Sequence, residues 1–526
     1  MLANALLFDG SGSPPQRGSL AVRGGRIAEI RAQPAEIPTR ESAPRPPLPR
    51  PAASDCEVID CGGLALAPGF IDVHSHSDAY ALLRPDAPSK ITQGVTTEIV
   101  GQCGASASPL VGGAKLPSDW ASFEYPRAWR NISEYLAALH EAEPLVNIVP
   151  MTGHRNLRMA VMGMEPRPAA PREIAQMAEL LESELEGGST GFTVGLAYQP
   201  ACHSAEEEII ALAKVCARRG GIFATHLRSE GAALLEALDE AIRAAEESGA
   251  QLQISHFKTS GAANWTKLEA AIEKIEAARA RGIRVFADRY PYTASGTDLD
   301  IILPEWAERG SREEILARLA DAGARKKIAA ELDSTRPPEY WQTVMVGGTW
   351  SPASRSLRGR RIDEIAREWK LPPAETLLRI VERDGLRTGG FFFGMSEENL
   401  ARILSFPWVM IGSDASLRAG SGILSEDHPH PRAWGAFPAF FALCREKKLM
   451  PLEEAVRRVT GLPAETFALR ERGQLKSGFI ADLVLFNPNE ISARATYESP
   501  SAPSAGIEAV FVRGKRAWQQ PVARRM

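Results

Sequence analysis

The stretch "GFIDVHSHSD", residues 69–78, begins like a buried strand and ends in side chains that can bind a metal ion. His74 and His76 follow the apolar run two residues apart. Alternate residues of a strand point to the same side, so both imidazoles are expected to face one way. Such a pair suits a divalent metal ion, although two hydrogen-bonded histidines in a polar loop would show the same spacing.

Strand-like segments recur about every 30 residues beyond this stretch, with helical segments between them. Examples are "GIFATH" (221–226), "QLQISH" (251–256) and "IRVFAD" (283–288). This rhythm is typical of βαβ units, and a closed barrel of eight such units usually needs about 250 residues. The zone at 66–469 is longer, so we predict an α/β fold with a distorted (β/α)8 TIM-like barrel and an insertion at about 298–345.

The two chain ends, residues 1–65 and 470–526, contain short alternating strands instead. "LAVRGGRIAEI" (20–30) and "AVFVRGKRAW" (509–518) each read as two strands around a glycine turn. We therefore predict that both ends build one small β-sandwich domain. The proline-rich segment 34–54 has no apolar periodicity and is expected to be an exposed loop.

The composition is that of an ordinary globular protein, with 526 residues, 44% hydrophobic and 24% charged residues. The formal net charge of −4 gives no electrostatic reason to expect a nucleic-acid or membrane partner. No signal-peptide pattern opens the chain, and its six cysteines form no CxxC pair. A reducing, cytoplasmic location is therefore expected, and the sequence does not predict an oligomeric state.

Further metal-binding side chains close other predicted strands. They stand in "TTEIVGQCG", "FATHLRSEG", "LQISHFKTSG" and "WVMIGSDAS". The carboxyl ends of barrel strands meet at one rim, where the active sites of such barrels lie. We therefore predict that six side chains converge there: His74, His76, Cys103, His226, His256 and Asp414.

The mixture of imidazole and thiolate favours zinc over magnesium or calcium. A carboxylate beside a water activated by zinc can accept its proton and later protonate a leaving group, which is the role expected for Asp414. Asp288, in "VFADRYPY", is the alternative carboxylate and is expected only to orient His256. His154 is expected to be structural. The remaining cysteines are expected to be small buried apolar residues: Cys56, Cys61, Cys202, Cys216 and Cys444.

Seven motifs occur in a characteristic order: "APGFIDVHSHSD", "GVTTEIVGQCG", "THLRSEG", "ISHFK", "YPYTASG", "GSDA" and "HPHPRAWGAF". Together they resemble the N-acyl-D-amino-acid deacylases (D-aminoacylases) of the amidohydrolase superfamily. The resemblance implies a zinc-dependent amidohydrolase that cleaves the linear amide bond of a small N-acylated D-amino acid.

The same resemblance implies individual roles. One tightly bound zinc would be held by Cys103, His226 and His256, with a second, weaker site at His74 and His76. Asp414 would be the general acid/base. The substrate carboxylate would be bound by three residues: Lys258, Tyr290 and Arg432.

Two alternatives stay open. A cyclic amidase, such as a hydantoinase or dihydroorotase, would use the same superfamily fold, although Arg432 and the cysteine ligand argue against it. A non-catalytic scaffold should have lost metal ligands, whereas all six candidates remain. Assays with N-acetyl-D-methionine and hydantoin distinguish a deacylase from a cyclic amidase. Metal analysis tests the scaffold alternative.

Two loops are expected to border the pocket. Loop 415–431 is longer than expected of the family, which leaves the acyl and side-chain preference open. Loop 104–131 either closes over an acyl chain or packs on the barrel rim. Its aromatic residues are Trp120, Phe123, Tyr125 and Trp129.

Overall fold

The computed structural model describes residues 1–33, 57–117 and 119–520. The predicted proline-rich loop at 34–54 and Cys56 lie outside the described residues. Among the described helices, none has both the length and the apolar character that crossing a bilayer requires.

The strands belong to three structures: a sheet built from the chain ends, a barrel, and an insertion before the last barrel strand. In chain order they are β1 (Leu2–Leu7), β2 (Gln16–Arg23), β3 (Arg26–Gln33), β4 (Ile59–Asp60), β5 (Ala65–Pro68), β6 (Phe70–Asp72), β7 (Val95–Val100), β8 (Asn147–Pro150), β9 (Thr152–Gly153), β10 (Gly191–Gly195), β11 (Ile222–His226), β12 (Gln251–Ile254), β13 (Val285–Arg289), β14 (Ala294–Asp298), β15 (Val344–Val346), β16 (Gly389–Phe393), β17 (Val409–Ile411), β18 (Leu483–Phe486), β19 (Ile507–Val512) and β20 (Lys515–Gln519).

The helices lie between the barrel strands and in the insertion. In chain order they are α1 (Tyr80–Leu83), α2 (Ile132–Ala142), α3 (His154–Met162), α4 (Pro171–Gly187), α5 (Glu206–Arg218), α6 (Leu234–Ser248), α7 (Leu268–Ala280), α8 (Glu305–Glu308), α9 (Arg312–Ala320), α10 (Ala322–Thr335), α11 (Ile362–Trp369), α12 (Pro373–Arg383), α13 (Glu397–Leu404), α14 (Arg432–Lys447), α15 (Leu452–Val459) and α16 (Gly461–Thr466).

The barrel consists of parallel strands in the order β6, β7, β8, then β9, β10, β11, β12, β13 and β17. Only Met151 separates β8 from β9, and its N–H donates to the Val100 carbonyl at 3.0 Å, so the two share one position. The ring closes where Ser75 and Ala415 form a parallel bridge. These eight positions confirm the (β/α)8 barrel that the strand rhythm predicts.

The interior strands are buried on both faces, as expected of a parallel barrel covered by helices. Every residue of β7, β10, β11 and β12 is buried. One glycine lets a functional loop approach the barrel closely, because a Cβ at Gly195 would lie 2.2 Å from the carbonyl oxygen of Cys103. The loop that carries Cys103 can therefore pack directly against β10.

Both chain ends build one small β-domain, as predicted. Its strands hydrogen-bond in the order β20, β19, β18, β5, β1, β2, β3, with β4 on β1. The sheet curls back on itself, since Arg26 of β3 forms an antiparallel bridge with Ile480, and it encloses an apolar cluster that includes Leu20 and Leu483. The predicted boundary between residues 65 and 66 falls inside β5, so we propose that the domain runs to Pro68 and resumes near residue 470.

The insertion lies between β13 and β17 and has its own apolar core. Strands β14, β16 and β15 form a three-stranded antiparallel sheet. Helices α9, α10, α11 and α12 share one buried cluster that includes Leu319, Leu332, Ile365 and Leu377. The predicted insertion at about 298–345 therefore lies within a longer excursion that also contains α11 and α12.

Candidate active site

The structure brings all six predicted metal-binding side chains together at the carboxyl ends of the barrel strands. They follow or close β6, β7, β11, β12 and β17. Two groups with ligand atoms within 4.8 Å of one another result, and they share Cys103. One group is His74, His76, Cys103 and Asp414, and the other is Cys103, His226 and His256.

The sulfur of Cys103 lies at the centre of three imidazoles. Its Sγ is 3.4 Å from His74 Nε2, 3.4 Å from His256 Nε2 and 3.7 Å from His226 Nδ1. Tetrahedral zinc has Zn–S bonds of about 2.3 Å and Zn–N bonds of about 2.0 Å, which places neighbouring S and N ligands about 3.5 Å apart. The donor set and its spacing therefore fit zinc.

The electrostatics favour a thiolate at Cys103. Burial would raise the pKa of this thiol, but His74 and His256 beside it lower the pKa well below its ordinary value. The thiolate is the form of cysteine that binds metals.

Asp414 bridges two histidines and an arginine. Its Oδ1 lies 3.1 Å from His76 Nε2 and 3.4 Å from His74 Nε2, while its Oδ2 pairs with Arg432 Nη1 at 2.8 Å. Burial would raise the pKa of Asp414, but Arg432, followed by the histidines, holds it well below its usual value. The ionised form of this carboxylate is therefore favoured.

Two carboxylates orient the imidazoles from behind. Asp288 lies 3.2 Å from His74 Nδ1 and accepts the backbone N–H of His256 at 2.9 Å, so it orients both residues and not His256 alone. Glu230 Oε1 lies 2.9 Å from His256 Nδ1. These contacts leave Nε2 of both rings facing the cysteine, which is how carboxylates commonly orient metal-binding histidines.

Two of the three residues predicted to bind a carboxylate, Lys258 and Arg432, flank the aromatic ring of the third, Tyr290. The Tyr290 ring centroid lies 4.6 Å from the Arg432 guanidinium and 5.9 Å from Lys258 Nζ. Burial would raise the pKa of Tyr290, but Lys258 and the neighbouring arginines lower it. The Tyr290 hydroxyl is buried and has no hydrogen-bond partner among the described residues.

A cavity of about 600 Å³ opens outward from this cluster. His76, Asp414 and Arg432 line its inner end. Loop 415–431 contributes Arg418, Ile423 and Asp427 among others, and the insertion contributes a further wall. The aromatic residues of the lining are Tyr80, Trp120, Phe123, Trp350 and Phe391.

Loop 104–131 contributes to the cavity wall, and its closure over an acyl chain stays a prediction. Trp120 and Phe123 line the cavity. Trp129 is buried instead against Tyr135 of α2, and its Nε1 donates to the Ala107 carbonyl of the same loop at 2.7 Å. Tyr125 bonds within the loop, to the carbonyl of Trp120 at 2.8 Å.

The remaining candidates have structural contacts. His154 Nε2 lies 2.7 Å from Glu208 Oε1 and joins α3 to α5. Cys61, Cys216 and Cys444 are buried as expected, whereas Cys202 is half-buried. The expectation that Cys202 is fully buried is therefore wrong, because it lies in a short 3₁₀ turn at residues 201–203 and not in the core.

Sequence reasoning missed three residues of the site. Glu230 stands four residues after His226, and that spacing in "THLRSEG" was the available signal. Tyr198 packs on His226 with ring centroids 4.8 Å apart. Lys90 is fully buried beneath β6 and β17, and nothing in its local sequence marks it.

Comparison with known proteins agrees with this geometry. The sequence profile of the amidohydrolase family matches residues 57–345 and 402–517. The D-aminoacylase of Alcaligenes xylosoxydans xylosoxydans is 36% identical over 522 residues, covering 99% of this chain and 94% of that protein. The N-acyl-D-aspartate deacylase of the same organism is 34% identical, covering 98% of this chain and 91% of that protein.

A solved structure extends the similarity to the whole fold. The N-acyl-D-glutamate deacylase from Bordetella bronchiseptica, complexed with zinc and a phosphonate inhibitor, superposes with a TM-score of 0.79 at 32% identity. The match covers 99% of this chain and 97% of that chain. Barrel, ligand cluster and sequence similarity thus agree, and the protein belongs to the amidohydrolase family.

Proposed function

We propose that this protein is a zinc-dependent deacylase that hydrolyses the amide bond of N-acyl-D-amino acids to a carboxylate and a free D-amino acid. The observation that carries the proposal is the position of Asp414, between two histidines of a zinc-like donor cluster and at the inner end of a cavity. The similarity to D-aminoacylase and to N-acyl-D-aspartate deacylase supports the substrate class and its D configuration.

Cys103, His226 and His256 would hold one zinc tightly, and His74, His76 and Asp414 would complete a second, weaker site that shares the cysteine. Zinc, when bound, polarises the acyl carbonyl and lowers the pKa of water. The two-site arrangement is supported by the two ligand groups that meet at Cys103.

Asp414 would carry the proton. Its ionised carboxylate accepts a proton from the attacking water, whose oxygen bonds to the acyl carbon. The C–N bond then breaks, and Asp414 returns the proton to the amine nitrogen. Arg432 keeps Asp414 ionised before attack, because the guanidinium pairs with Oδ2 and leaves Oδ1 toward the histidines.

The α-carboxylate of the substrate would bind near Tyr290. The Tyr290 hydroxyl is a buried donor without a hydrogen-bond partner among the described residues. Lys258 and Arg432 flank the Tyr290 ring. A carboxylate oxygen at this hydroxyl would satisfy the donor and be stabilised by Lys258 and Arg432.

The test is a deacylation screen over N-acetyl-D- and N-acetyl-L-amino acids, with hydantoin and dihydroorotate as cyclic amides. We expect turnover of the D-series only. Asp414→Asn should lower kcat about 100-fold to 10,000-fold because the proton carrier is lost, while the zinc held by Cys103, His226 and His256 stays bound. Asp239→Asn, at an exposed ion pair with Lys274, is the matched control and should keep wild-type kcat.

Three results would contradict the proposal. Hydrolysis of the cyclic amides alone would favour a cyclic amidase. A protein that neither contains zinc nor can be reconstituted with it would favour a scaffold. Wild-type turnover by Asp414→Asn would show that another group carries the proton.

The cellular setting is also a proposal. The described cysteines are all free, which supports a reducing, cytoplasmic location. The expected absence of nucleic-acid and membrane partners rests on the net charge and stays a prediction.

A further inference from the structure

Two arginines of the cavity lining have no ion-pair partner within the described part of the chain. Among the described residues, five arginines line the cavity, and three of them form ion pairs. The pairs are Arg355–Glu426 at 3.1 Å, Arg418–Asp427 at 2.8 Å and Arg432–Asp414 at 2.8 Å. Within the described part of the chain, Arg358 and Arg387 have no carboxylate at ion-pair distance.

Arg387 is the less satisfied of these two cations. Its Nη1 donates to Ser122 Oγ at 3.2 Å, and its guanidinium stacks on Trp350, 4.3 Å from the ring centroid. Its Nε is buried and makes no hydrogen bond to the described residues. The described residues therefore use only part of the donor capacity of this guanidinium.

Arg358 bonds only to neutral acceptors. Its Nε and Nη2 donate to Oγ1 and the carbonyl oxygen of Thr349, at 2.8 and 2.7 Å. Its Nη1 donates to the Glu426 carbonyl at 2.6 Å. These bonds fix the guanidinium in place, and none of them is an ion pair with a carboxylate.

The two cations flank one turn, since Arg358 bonds Thr349 and Arg387 stacks on the next residue, Trp350. Asp384 holds this turn by accepting the N–H groups of Trp350 and Ser351 at 3.3 and 3.2 Å. It also accepts the Thr388 hydroxyl at 3.0 Å. The Asp384 carboxylate therefore stabilises the turn that lies between the two arginines.

Two other carboxylates line the cavity. Asp119 accepts the Tyr80 hydroxyl at 3.3 Å, and burial raises its pKa, which disfavours the charged form. Burial, followed by the nearby Asp300, Asp119 and Asp427, raises the pKa of Asp298 well above its usual value, which also disfavours its charged form. Neither forms an ion pair with Arg358 or Arg387.

We propose that Arg358 and Arg387 form an anion subsite in the outer cavity, which selects substrates with a second carboxylate beyond the one next to the reacting amide. That carboxylate comes either from an acidic amino-acid side chain or from a dicarboxylic acyl group. Guanidinium groups bind carboxylates through paired, charge-assisted hydrogen bonds. Phe123 and Trp350, 6.3 Å apart, provide apolar contact for the intervening methylene groups.

The subsite rests on the proposed deacylase function and deepens it. Both arginines lie in residues 346–401, which the family profile does not match.

The test compares substrates that differ only in one charge. N-acetyl-D-glutamate is measured against N-acetyl-D-glutamine, and N-succinyl-D-leucine against its terminal amide, so the two sources of the carboxylate are separate arms. We expect the wild type to prefer the acid in one arm. Arg387→Gln and Arg358→Gln should each reduce that ratio of kcat/KM about 10-fold to 100-fold, since each removes a charged hydrogen bond.

Arg355→Gln is the matched control, because it also removes a lining arginine but one that is already paired with Glu426. It should retain the wild-type ratio. Because the amide substrate is measured in the same preparation, a general loss of folding lowers both rates and leaves the ratio interpretable. Equal turnover of acid and amide in both arms by the wild type, or equal loss of preference in Arg355→Gln, would overturn the subsite.

Equilibrium binding separates this proposal from the proposed function. Calorimetric titration of the Asp414→Asn variant with N-acetyl-D-glutamate and N-acetyl-D-glutamine, and with the succinyl pair, should show the same preference without turnover. A preference for the acid that Arg387→Gln abolishes would support the subsite even if no substrate were hydrolysed. Equal affinities in both arms would overturn it.

Discussion

Three of the proposed metal ligands have backbone conformations that are rare for residues with a side chain. Cys103, His256 and Asp414 have φ angles of 53°, 36° and 50°. Each such residue costs about 1–3 kcal/mol and persists only where the surroundings fix it. Hydrogen bonds do so at two of them: the Asp414 N–H donates to the His74 carbonyl at 2.8 Å, and the His256 N–H to Asp288. The strained turns aim these side chains at one point.

Another group of buried residues supports the same strand ends from below. The ammonium of Lys90 is 2.6 Å from Asp72, 3.2 Å from Glu98 and 2.9 Å from the Ala415 carbonyl. Asp72 in turn accepts the backbone N–H groups of His74 and of Ser413. The network therefore joins the turn that carries the histidines to the turn that carries the proposed base.

Replacing Lys90 tests this network. Lys90→Met leaves two buried carboxylates without their cation, which should reduce the free energy of unfolding by about 3–5 kcal/mol. Lys274→Met removes an exposed cation paired with Asp239 at 2.8 Å and should cost less than about 1 kcal/mol. Urea denaturation monitored by circular dichroism measures both. Equal, small losses would show that the buried pair does not hold the strand ends.

Among the elements, the insertion and loop 104–131 jointly form the outer cavity. Phe123 of the loop packs on Trp350 of the insertion, and Arg387 of the insertion donates to Ser122 of the loop. The insertion has its own apolar core, so it can present a fixed wall while the barrel presents the ligand cluster. The outer wall of the cavity and the ligand cluster thus belong to different elements.

The stability of the first helical part of the insertion, residues 299–308, should depend on pH. Burial raises the pKa of Asp300 to about 6, and burial together with Asp300 and Glu305 raises the pKa of Glu308 to about 7. Both pKa values exceed the pKa of a carboxyl group in an unfolded chain, which is about 4. The folded segment therefore binds protons more tightly than the unfolded chain does. The contribution of this proton binding to the stability of the folded segment is fully present below about pH 4. It is lost as the pH rises through 6 to 7.

Hydrogen exchange at residues 299–308 measures the effect. After correction for intrinsic rates, protection should be greater at pH 5 than at pH 8. The double variant Asp300→Asn, Glu308→Gln should remove the difference, because neither side chain then ionises. An unchanged difference in that variant would assign the pH response to other groups.

In the whole molecule, the barrel and the ligand cluster could be predicted because each rests on a local pattern that repeats. Buried runs ending in histidine, cysteine or aspartate identify strand ends, and the barrel brings strand ends together. The extent of the insertion could not be predicted in this way, because α11 and α12 have the same apolar periodicity whichever core they cover. Lys90 was missed because a charged residue carries no local sign that it will be buried beside a partner distant in sequence, whereas Glu230 has a signal in its spacing from His226.

The convergence of six side chains on one zinc-binding centre is tested most directly by X-ray diffraction on both sides of the zinc absorption edge. We predict that crystals of the protein purified with zinc give an anomalous difference peak bounded by Cys103, His226 and His256. In Cys103→Ala crystals that peak should be lost. A wild-type map with no peak at this position, or with zinc only at surface residues, would contradict the proposed centre.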